Sequence, residues 1–393
     1  MKNGSFIFKQ FLEAVSKSEF LSLVDLHRGD HKVQEFDCWL LFQCHCFGQL
    51  TNRESLRDLV TCLRAHDSKL YHLGFRHRVS LSTLAYAQEN RPWKVYADFA
   101  QTLIEKARIL YKTGNDFEID IPNPVYAFDS TTVDLCLSLF QWATFRKTKA
   151  AIKLHTLLDL RGDIPVFIHI TEAKVHDINA LVELPFELDG IYIFDKAYLH
   201  FKRLYKIHLV QAYFVIRAKV NLQYELISEK PISRKDRKNG VQANKIIRLQ
   251  TATSFNDYPE PIRLVIYWDK ENERMFTFLT NNFKISSLEV AMLYKSRWKV
   301  ELFFKWIKQH LKIKSFWGQS QNAVKCQIWI AVSTYLLVAI WKKRLGLSQS
   351  IYEILQVLSI LVFDKTPINQ LLTKKEDSES NSINSNQLTI FDL

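Results

Sequence analysis

The sequence lacks the cysteine pattern of a disulfide framework or of a structural zinc site. Its 393 residues include six cysteines, at positions 38, 44, 46, 62, 136 and 326. Cys44, His45 and Cys46 are adjacent, but this spacing is not that of a zinc knuckle, and no second pair of ligands follows it. Buried thiols in a reducing cytosol are therefore the interpretation that we favour.

The sequence also lacks an export signal and a long apolar run. The first twenty residues contain no continuous apolar region and no small-residue cleavage site, which argues against a signal peptide. The most apolar run, Cys326 to Trp341, contains Gln, Ser and Thr and is shorter than the roughly 20 residues that span a membrane. We therefore expect a buried helix there and no membrane partner.

Acidic residues are scarce in the second half of the chain. Residues 284–314 hold eight Lys and Arg but only two acids, Glu289 and Glu301. Residues 196–248 hold thirteen Lys and Arg against three acids, while residues 1–118 hold sixteen against fourteen. With a formal charge of +12 for the whole chain, this distribution favours a polyanionic partner for the later part of the sequence.

The basic stretch predicts one amphipathic helix with a polar face. In such a helix Tyr294, Arg297, Glu301 and Lys308 would lie within an arc of about 60°. The apolar residues beside that face would hold the helix against a core: Trp298, Leu302, Phe303, Phe304, Trp306 and Ile307. The face could be a solvated surface with an Arg–Glu pair four residues apart. Alternatively, its carboxylate shares a site with a metal ion and a polyanion, which requires partner carboxylates elsewhere.

Two aspartates qualify as those partners. Asp129 ends the run PVYAFD and Asp195 ends IYIFD, so each follows a short apolar run that is typical of a buried strand. A single Asp at a strand end is more often a turn former. Two such residues followed by Glu301, with separations of 66 and 106 residues, form a far more specific pattern.

These residues resemble a known family, the DDE transposases of bacterial insertion sequences, and more narrowly its IS-four family. The signature of that family is Tyr, two residues, Arg, three residues, Glu, six residues, Lys, which Tyr294, Arg297, Glu301 and Lys308 match. The resemblance extends over residues 25–345. Where the family often has Arg-Gly after the second Asp, this sequence has Lys196-Ala197.

The resemblance implies metal-dependent DNA strand cleavage and transfer. Asp129, Asp195 and Glu301 would be both the catalytic residues and the ligands of two Mg²⁺ ions about 3.5–4 Å apart, with Mn²⁺ as a possible substitute. The DNA-binding residues that it implies on or beside the helix are Tyr294, Arg297, Lys308, Lys196 and Lys305. The reaction would excise a DNA element at its inverted repeats and insert it into a target, with a hairpin on the transposon end.

The implied partners follow from that reaction. Double-stranded DNA is expected as terminal repeats and as target, and a homodimer is expected because two ends must be held together. The last residues resemble the peptide by which bacterial proteins dock on the replication sliding clamp, through Gln387, Leu388, Ile390 and Phe391. The expected location is the bacterial cytoplasm, in association with the nucleoid.

The fold class that we predict is α/β (α+β), a ribonuclease-H-like catalytic core preceded by a helical DNA-binding domain. Three antiparallel strands begin with the Asp129 strand, and after a crossover helix at 177–188 a fourth strand ends at Asp195. A helix at 196–208 and a fifth strand at 212–219 complete the order. In that fold the first and fourth strands are adjacent, so the two aspartates would meet.

The predicted organisation has six parts. They are a helical DNA-binding domain at 1–118, the first part of the core at 119–219, a β-rich insertion at 220–283, the final part of the core at 284–345, a C-terminal helix at 346–372 and a disordered tail at 373–393. The N-terminal helices are predicted at 6–24, 36–50, 55–64, 83–90 and 93–111. The third and fourth of these could form a helix-turn-helix-like pair or belong to an ordinary bundle. In the insertion, Tyr267 and Trp268 could be core residues or could grip a displaced base.

Two other functions remain open from the sequence. A former transposase used as a DNA-binding regulator would need the basic surface but not the three acids. An endonuclease of similar fold would cut DNA without joining it.

Overall fold

The computed structural model describes residues 4–112, 117, 119–146, 149–175, 181–310 and 316–373. Its centre is a mixed sheet that has ten strands in this part of the chain. The strands are β1 (Val125–Leu135), β2 (Thr144–Arg146), β3 (Lys149–Asp159), β4 (Ile164–Glu172), β5 (Ile191–Phe194), β6 (Tyr213–Arg217), β7 (Tyr224–Glu229), β8 (Val241–Leu249), β9 (Ile262–Asp269) and β10 (Arg274–Thr280).

Five of these strands form the ribonuclease-H-like arrangement. Their order across the sheet is β4-β3-β1-β5-β6; β1, β3 and β4 pair antiparallel, whereas β1, β5 and β6 are parallel. The apolar runs of β1 and β5 are buried on both faces, as central parallel strands usually are. The predicted fold class is therefore confirmed, including the adjacency of the first and fourth strands.

The β-rich residues 220–283 extend this sheet. β10 pairs with β6, and the order continues through β9 and β8 to the edge strand β7. The buried guanidinium of Arg263 ties these strands to the segment that follows: it donates to Asn244 Oδ1 at 3.0 Å, Ile285 O at 2.6 Å and Ser287 Oγ at 3.0 Å. The extension is thus joined rigidly to the next helix.

Helices surround the sheet. They are α1 (Ile7–Leu12), α2 (Lys17–Leu26), α3 (Cys38–Leu50), α4 (Leu56–Arg64), α5 (Asp67–Leu70), α6 (Leu81–Asn90), α7 (Trp93–Tyr111), α8 (Phe201–Leu209), α9 (Arg234–Lys238), α10 (Ala252–Asp257), α11 (Ser287–Ser296), α12 (Trp298–His310), α13 (Gln321–Leu345), α14 (Ile351–Leu361) and α15 (Ile368–Thr373).

Several helix boundaries differ from the prediction because capping residues set them. The stretch 6–24 forms two helices, since Ser16 accepts a hydrogen bond from Glu19 N–H and starts α2. Similarly, α6 begins after Ser80 rather than after Ser82. The described part of the predicted 177–188 helix, from residue 181 onward, contains only the short 3₁₀ turn Leu181–Glu183.

The C-terminal region also differs from the prediction. Two helices, α14 and α15, stand where one was expected at 346–372. The residues of the clamp-docking peptide, Gln387, Leu388, Ile390 and Phe391, lie outside the described residues, as does the tail from residue 374 onward.

The helix-turn-helix interpretation finds no support in the connection between α4 and α6. The two helices contact each other, but residues 65–80 join them and contain α5 and a 3₁₀ turn. A helix-turn-helix has a turn of about 3–4 residues. The pair is therefore part of a larger helical bundle.

The longest described helix, α13, is the centre of that bundle. It packs against α7, α3, α6 and α14, so the N-terminal helices and the C-terminal ones share a hydrophobic core with one face of the sheet. Within the described part of the chain, α13 alone is long and apolar enough to cross a membrane, but 89% of its apolar window is buried in the protein. The argument from shortness was therefore wrong, whereas the prediction of a buried helix is confirmed.

Candidate active site

The helix predicted at the centre of the site is broken at Arg297. Here α11 ends and α12 begins, and the Arg297 N–H donates to Tyr294 O at 3.1 Å while the Val300 N–H donates to Arg297 O at 3.1 Å. These bonds span three residues rather than four, so the chain tightens locally into a 3₁₀ turn. The prediction of one continuous helix is therefore wrong, and Tyr294 is carried by a different helix from Glu301.

The apolar side of α12 packs only in part as predicted. Phe303, Phe304 and Ile307 are buried, but Trp298 is 57% exposed and Leu302 is 48% exposed. The buried side chains hold α12 against the sheet beside β1. Trp298 lies at the surface and directly follows Arg297 in the chain.

Asp129 sits at the centre of the site. Its Oδ1 accepts hydrogen bonds from the Ser130 N–H at 2.8 Å and the Tyr198 hydroxyl at 3.4 Å, and its Oδ2 accepts one from Arg297 Nη1 at 2.7 Å. Burial raises the pKa of Asp129; the charges of Glu301 and Asp195 add to the rise, and Ser130 N–H and Arg297 oppose it. Asp129 is therefore close enough to both Glu301 and Asp195 to be repelled by them.

Arg297 links the first and third acids. Its Nη1 donates to Asp129, and its Nη2 donates to Glu301 Oε1 at 2.6 Å. Burial works against the charged guanidinium, but the two carboxylates outweigh it and raise the pKa of Arg297. The guanidinium thus neutralises part of the negative charge that gathers at this edge.

Asp195 is held by the other helix. The Tyr294 hydroxyl donates to Asp195 Oδ1 at 3.0 Å. Burial and the charge of Asp195 raise the pKa of Tyr294 to about 12, so the phenol remains a donor at neutral pH. Each aspartate therefore receives a tyrosine hydroxyl, Tyr198 for the first and Tyr294 for the second.

The predicted lysines lie around this centre. Lys308 Nζ donates to Thr132 O at 2.7 Å, which ties α12 to β1 three residues beyond Asp129. Lys196 follows Asp195 directly in the 3₁₀ turn Lys196–Tyr198 and is exposed, and Lys305 is exposed on α12. The structure therefore gives Lys308 a backbone contact, while the other two lysines face solvent.

Two residues that the sequence reasoning left without a role belong to this region. Tyr198 is 3% exposed, packs its ring edge-on against Phe128 at 5.2 Å and reaches Asp129. Arg217 ends β6, beside the end of β5. A basic residue that closes an apolar strand, as in YFVIR, was the signal available for Arg217.

The donor set fits a divalent cation. Three carboxylates supply hard oxygen ligands of the kind that Mg²⁺ prefers, and the raised pKa of Asp129 reflects a repulsion that a cation would relieve. As they stand, however, no three His, Cys, Asp or Glu side chains of the described residues are grouped to hold a metal ion. The guanidinium of Arg297 lies between two of the three carboxylates, those of Asp129 and Glu301.

A cavity of about 590 Å³ opens beside Tyr294 and Arg297, the residues that bond to the acids. Tyr294, Arg297 and Trp298 line it from the helices, and Tyr267 and Phe276 line it from β9 and β10. Trp268, the other aromatic residue singled out in the sequence, is half-buried on β9 and is not part of the lining. The cavity therefore has aromatic walls and a cation at the active-site end.

Comparisons with known proteins identify a family for more than half of the chain. Residues 121–337 match the Transposase DDE domain family, and residues 3–76 match a domain family of unknown function. Similar proteins, each named as a transposase, occur in Sinorhizobium fredii (30% identical over 240 residues, 61% of this chain and 67% of the relative) and in Geobacillus stearothermophilus for the insertion sequence element IS5377 (28% over 262 residues, 66% and 67%). Another, in Synechocystis sp. for the element IS4SA, is 24% identical over 264 residues, 66% of this chain and 71% of the relative.

Among solved structures, a cryo-EM structure of a piggyBac transposase synaptic complex with hairpin DNA aligns with a TM-score of 0.45 and 11% identity, over 96% of this chain and 86% of that one. The family match spans more than half of the sequence and contains all three acids. The chain therefore belongs to the DDE transposases, enzymes that cleave and transfer DNA, and its relatives include transposases of insertion sequence elements.

Proposed function

We propose that this transposase excises and inserts its element by two-metal phosphoryl transfer, with Asp129, Asp195 and Glu301 as the metal ligands. The observation that supports this most is the meeting of the three acids at one edge of the sheet, on β1, after β5 and on α12. Bound Mg²⁺, or Mn²⁺ in its place, would lower the pKa of the attacking water or hydroxyl and stabilise the leaving oxygen.

The chemistry requires no nucleophile from the protein. In cleavage, a water oxygen bonds to the phosphorus at the transposon end, and the 3′-oxygen leaves and takes up a proton. In joining, the freed 3′-hydroxyl loses its proton, bonds to a phosphorus of the target and displaces the target's 3′-oxygen, so one phosphodiester bond replaces another. Tyr294 and Arg297 would contact the flanking phosphates, with Lys308, Lys196 and Lys305 along the backbone.

The wider DNA contacts follow the same proposal. Residues 1–118 would bind the terminal inverted repeats, and the sheet with its extension, 119–345, would carry out the reaction. Two copies of the chain would hold the two ends together. The aromatic cavity beside Trp298 is suited to a base displaced as a hairpin forms on the transposon end, since aromatic rings stack on bases without regard to sequence.

Two further assignments belong to this proposal. The peptide containing Gln387, Leu388, Ile390 and Phe391 would dock on the replication sliding clamp. The protein would act in the bacterial cytoplasm, at the nucleoid, where its DNA substrates are.

One incubation tests the reaction. The protein is mixed with Mg²⁺, a supercoiled target and a duplex that carries the inverted repeat found beside its gene. We expect joined products in which the 3′ end of the duplex is linked to target DNA. Nicked or cut duplex without joining would make the protein an endonuclease, and a mobility shift without cleavage would make it a DNA-binding regulator.

Arg297→Gln is expected to strengthen divalent-cation binding in the absence of DNA. The guanidinium lies between Asp129 and Glu301, so a cation must share those carboxylates with it. Removing one positive charge about 4 Å away is expected to tighten binding by roughly 10-fold, about 1.4 kcal/mol. Titration calorimetry with Mn²⁺ measures this.

Lys299→Gln is the matched control for that titration. Lys299 follows Arg297 by two residues, in α12, but pairs with Asp163 at 3.7 Å, away from the acids, so its removal changes the net charge equally. We expect its Mn²⁺ affinity to match the wild type. Weaker Mn²⁺ binding by Arg297→Gln would mean that the guanidinium organises the ligands instead of competing for them.

A further inference from the structure

Arg217 stands in the same row of the sheet as the two catalytic aspartates. Phe128 of β1 pairs in parallel with Phe194 of β5, which pairs with Ile216 of β6. The next residues along these strands are Asp129, Asp195 and Arg217. Side chains in one row across parallel strands point to the same face of a sheet.

The face of that row is identified by the residues two positions earlier. Ala127, Ile193 and Val215 pack in the core cluster that also contains Val300 and Phe303 of α12. Phe128, Phe194 and Ile216 pack in the second cluster on the other face. Because strand residues alternate between faces, the row of Asp129, Asp195 and Arg217 faces the helices that carry Tyr294, Arg297 and Glu301.

The guanidinium of Arg217 rests on an aromatic ring next to Asp195. Its carbon is 5.1 Å from the centroid of Phe276, whose ring is 6.2 Å from that of Tyr294. Tyr294 in turn donates to Asp195. The positive charge of Arg217 is near enough to oppose the rise in the pKa of Tyr294. Arg217 therefore flanks Asp195 on the side away from Asp129.

The two active-site arginines differ in what holds them. Arg297 already donates to Asp129 and Glu301, so a phosphate would share its guanidinium with two carboxylates. Arg217 pairs with no carboxylate of the described residues and is supported by the ring of Phe276 instead. A stacked guanidinium keeps its N–H donors in the plane of the fork, where they match two oxygens of a phosphate.

We propose that Arg217 binds a DNA phosphate at the active site, on the Asp195 side of the scissile bond. The inference rests on the proposed function, because it assumes that the acids act on a phosphodiester placed over the row. Arg217 is then a catalytic residue that contacts substrate and adds positive charge where a pentavalent phosphorus concentrates negative charge. The aspartates would take the metals, and this guanidinium would take the non-bridging oxygens.

Single-phosphate substitution tests the contact. A set of inverted-repeat duplexes carries one neutral methylphosphonate at each position flanking the cleavage site, and cleavage rates are compared for wild type, Arg217→Gln and Arg217→Lys. On unmodified DNA we expect Arg217→Gln to be about 10- to 100-fold slower. Arg217→Lys is expected to recover part of this loss, since Lys keeps the charge but not the two-pronged geometry.

The decisive result is that the difference in cleavage rate between wild type and Arg217→Gln disappears on one of the modified duplexes. On the duplex whose methylphosphonate removes the contacted charge, wild type and Arg217→Gln are expected to cleave equally slowly. Arg274→Gln is the control, since Arg274 also stacks on Phe276, at 5.5 Å, but from an exposed position at the start of β10. We expect it to behave as wild type.

Other outcomes overturn the inference separately from the proposed function. If Arg217→Gln cleaves as fast as wild type, or if its defect is the same on every methylphosphonate duplex, Arg217 does not bind a phosphate. Mn²⁺ affinity and the unfolding temperature of Arg217→Gln are expected to equal those of the wild type, and a drop in either would indicate a structural role. Cleavage by Asp129→Asn would instead contradict the proposed function itself.

Discussion

Asp129→Asn is expected to abolish DNA cleavage and, at the same time, to make the protein more resistant to unfolding. The carboxylate would hold a metal ion in both reaction steps. Its loss should therefore slow cleavage at least about 1,000-fold, which corresponds to about 4 kcal/mol in the barrier. The gain in stability has a separate origin. Burial and two neighbouring carboxylates raise the pKa of Asp129, which means that the ionised side chain is disfavoured in the folded protein.

The sign of the pH dependence follows from that raised pKa. A carboxyl group whose pKa is higher in the folded state than in the unfolded state weakens folding once both states are ionised, that is, at neutral pH. Below the ordinary value of 3.8 the group is protonated in both states, and this cost disappears. Asp129→Asn should therefore unfold at a higher temperature than wild type at pH 7. The difference should shrink toward pH 3.

Thermal unfolding followed by circular dichroism measures the change in stability. Cleavage of the inverted-repeat duplex measures the loss of activity. Asp134→Asn is the matched control, because Asp134 lies on the same strand but is exposed. It is expected to cleave DNA normally and to unfold with the wild type. An Asp129→Asn protein that unfolds at a lower temperature than wild type at pH 7 would mean that its pairing with Arg297 outweighs the repulsion.

Acid is expected to destabilise the protein strongly through one buried histidine. His45 is fully buried on α3, and its imidazole nitrogens make no hydrogen bond to described residues. Burial lowers its pKa from 6.5 to about 3, against a small opposing effect of the Gln88 amide. The unfolded chain therefore takes up a proton at a pH where the folded protein does not.

The direction and size follow from proton linkage. A histidine with a depressed pKa stabilises the fold fully above pH 6.5, and this contribution is lost as the pH falls from there toward about 3. At pH 4.5 the loss amounts to roughly 3 kcal/mol relative to pH 7.5. Urea unfolding at the two pH values measures the change, with the slope against denaturant as a check on two-state behaviour.

His45→Leu is the variant that isolates this effect. Leucine is apolar and cannot be protonated, so the acid-induced loss of stability should be smaller by the amount given above, whatever the change in absolute stability. His31→Leu serves as control, since His31 is exposed and its replacement should leave the loss unchanged. If His45→Leu loses as much stability in acid as the wild type does, groups other than His45 cause the loss.

The three acids were predictable as candidates because their signals are local. A buried apolar run followed by Asp identifies a strand end, and a carboxylate four residues after an arginine identifies a helix face. Arg217 carried only a faint local signal, and the partnership of Tyr198 with Asp129 carried none. Both depend on strand register and on a turn that folds back across the sheet edge. The start of α6 was misplaced because Ser80 and Ser82 are both available as caps, and the break before α2 was missed because the cap at Ser16 was not recognised.

The sequence by itself determined the ribonuclease-H-like strand order and the positions of three acids, since alternation and apolar runs are properties of neighbouring residues. Only the tertiary structure decided that Arg297 joins Asp129 across 168 residues, that the helix breaks there and that Arg217 completes the row. The tertiary structure likewise decided that the N-terminal helices share a core with α13. The physical reason is that the spacing of apolar residues along a helix or strand selects which of its faces is buried. Which residues that face contacts depends on the register and packing of distant segments.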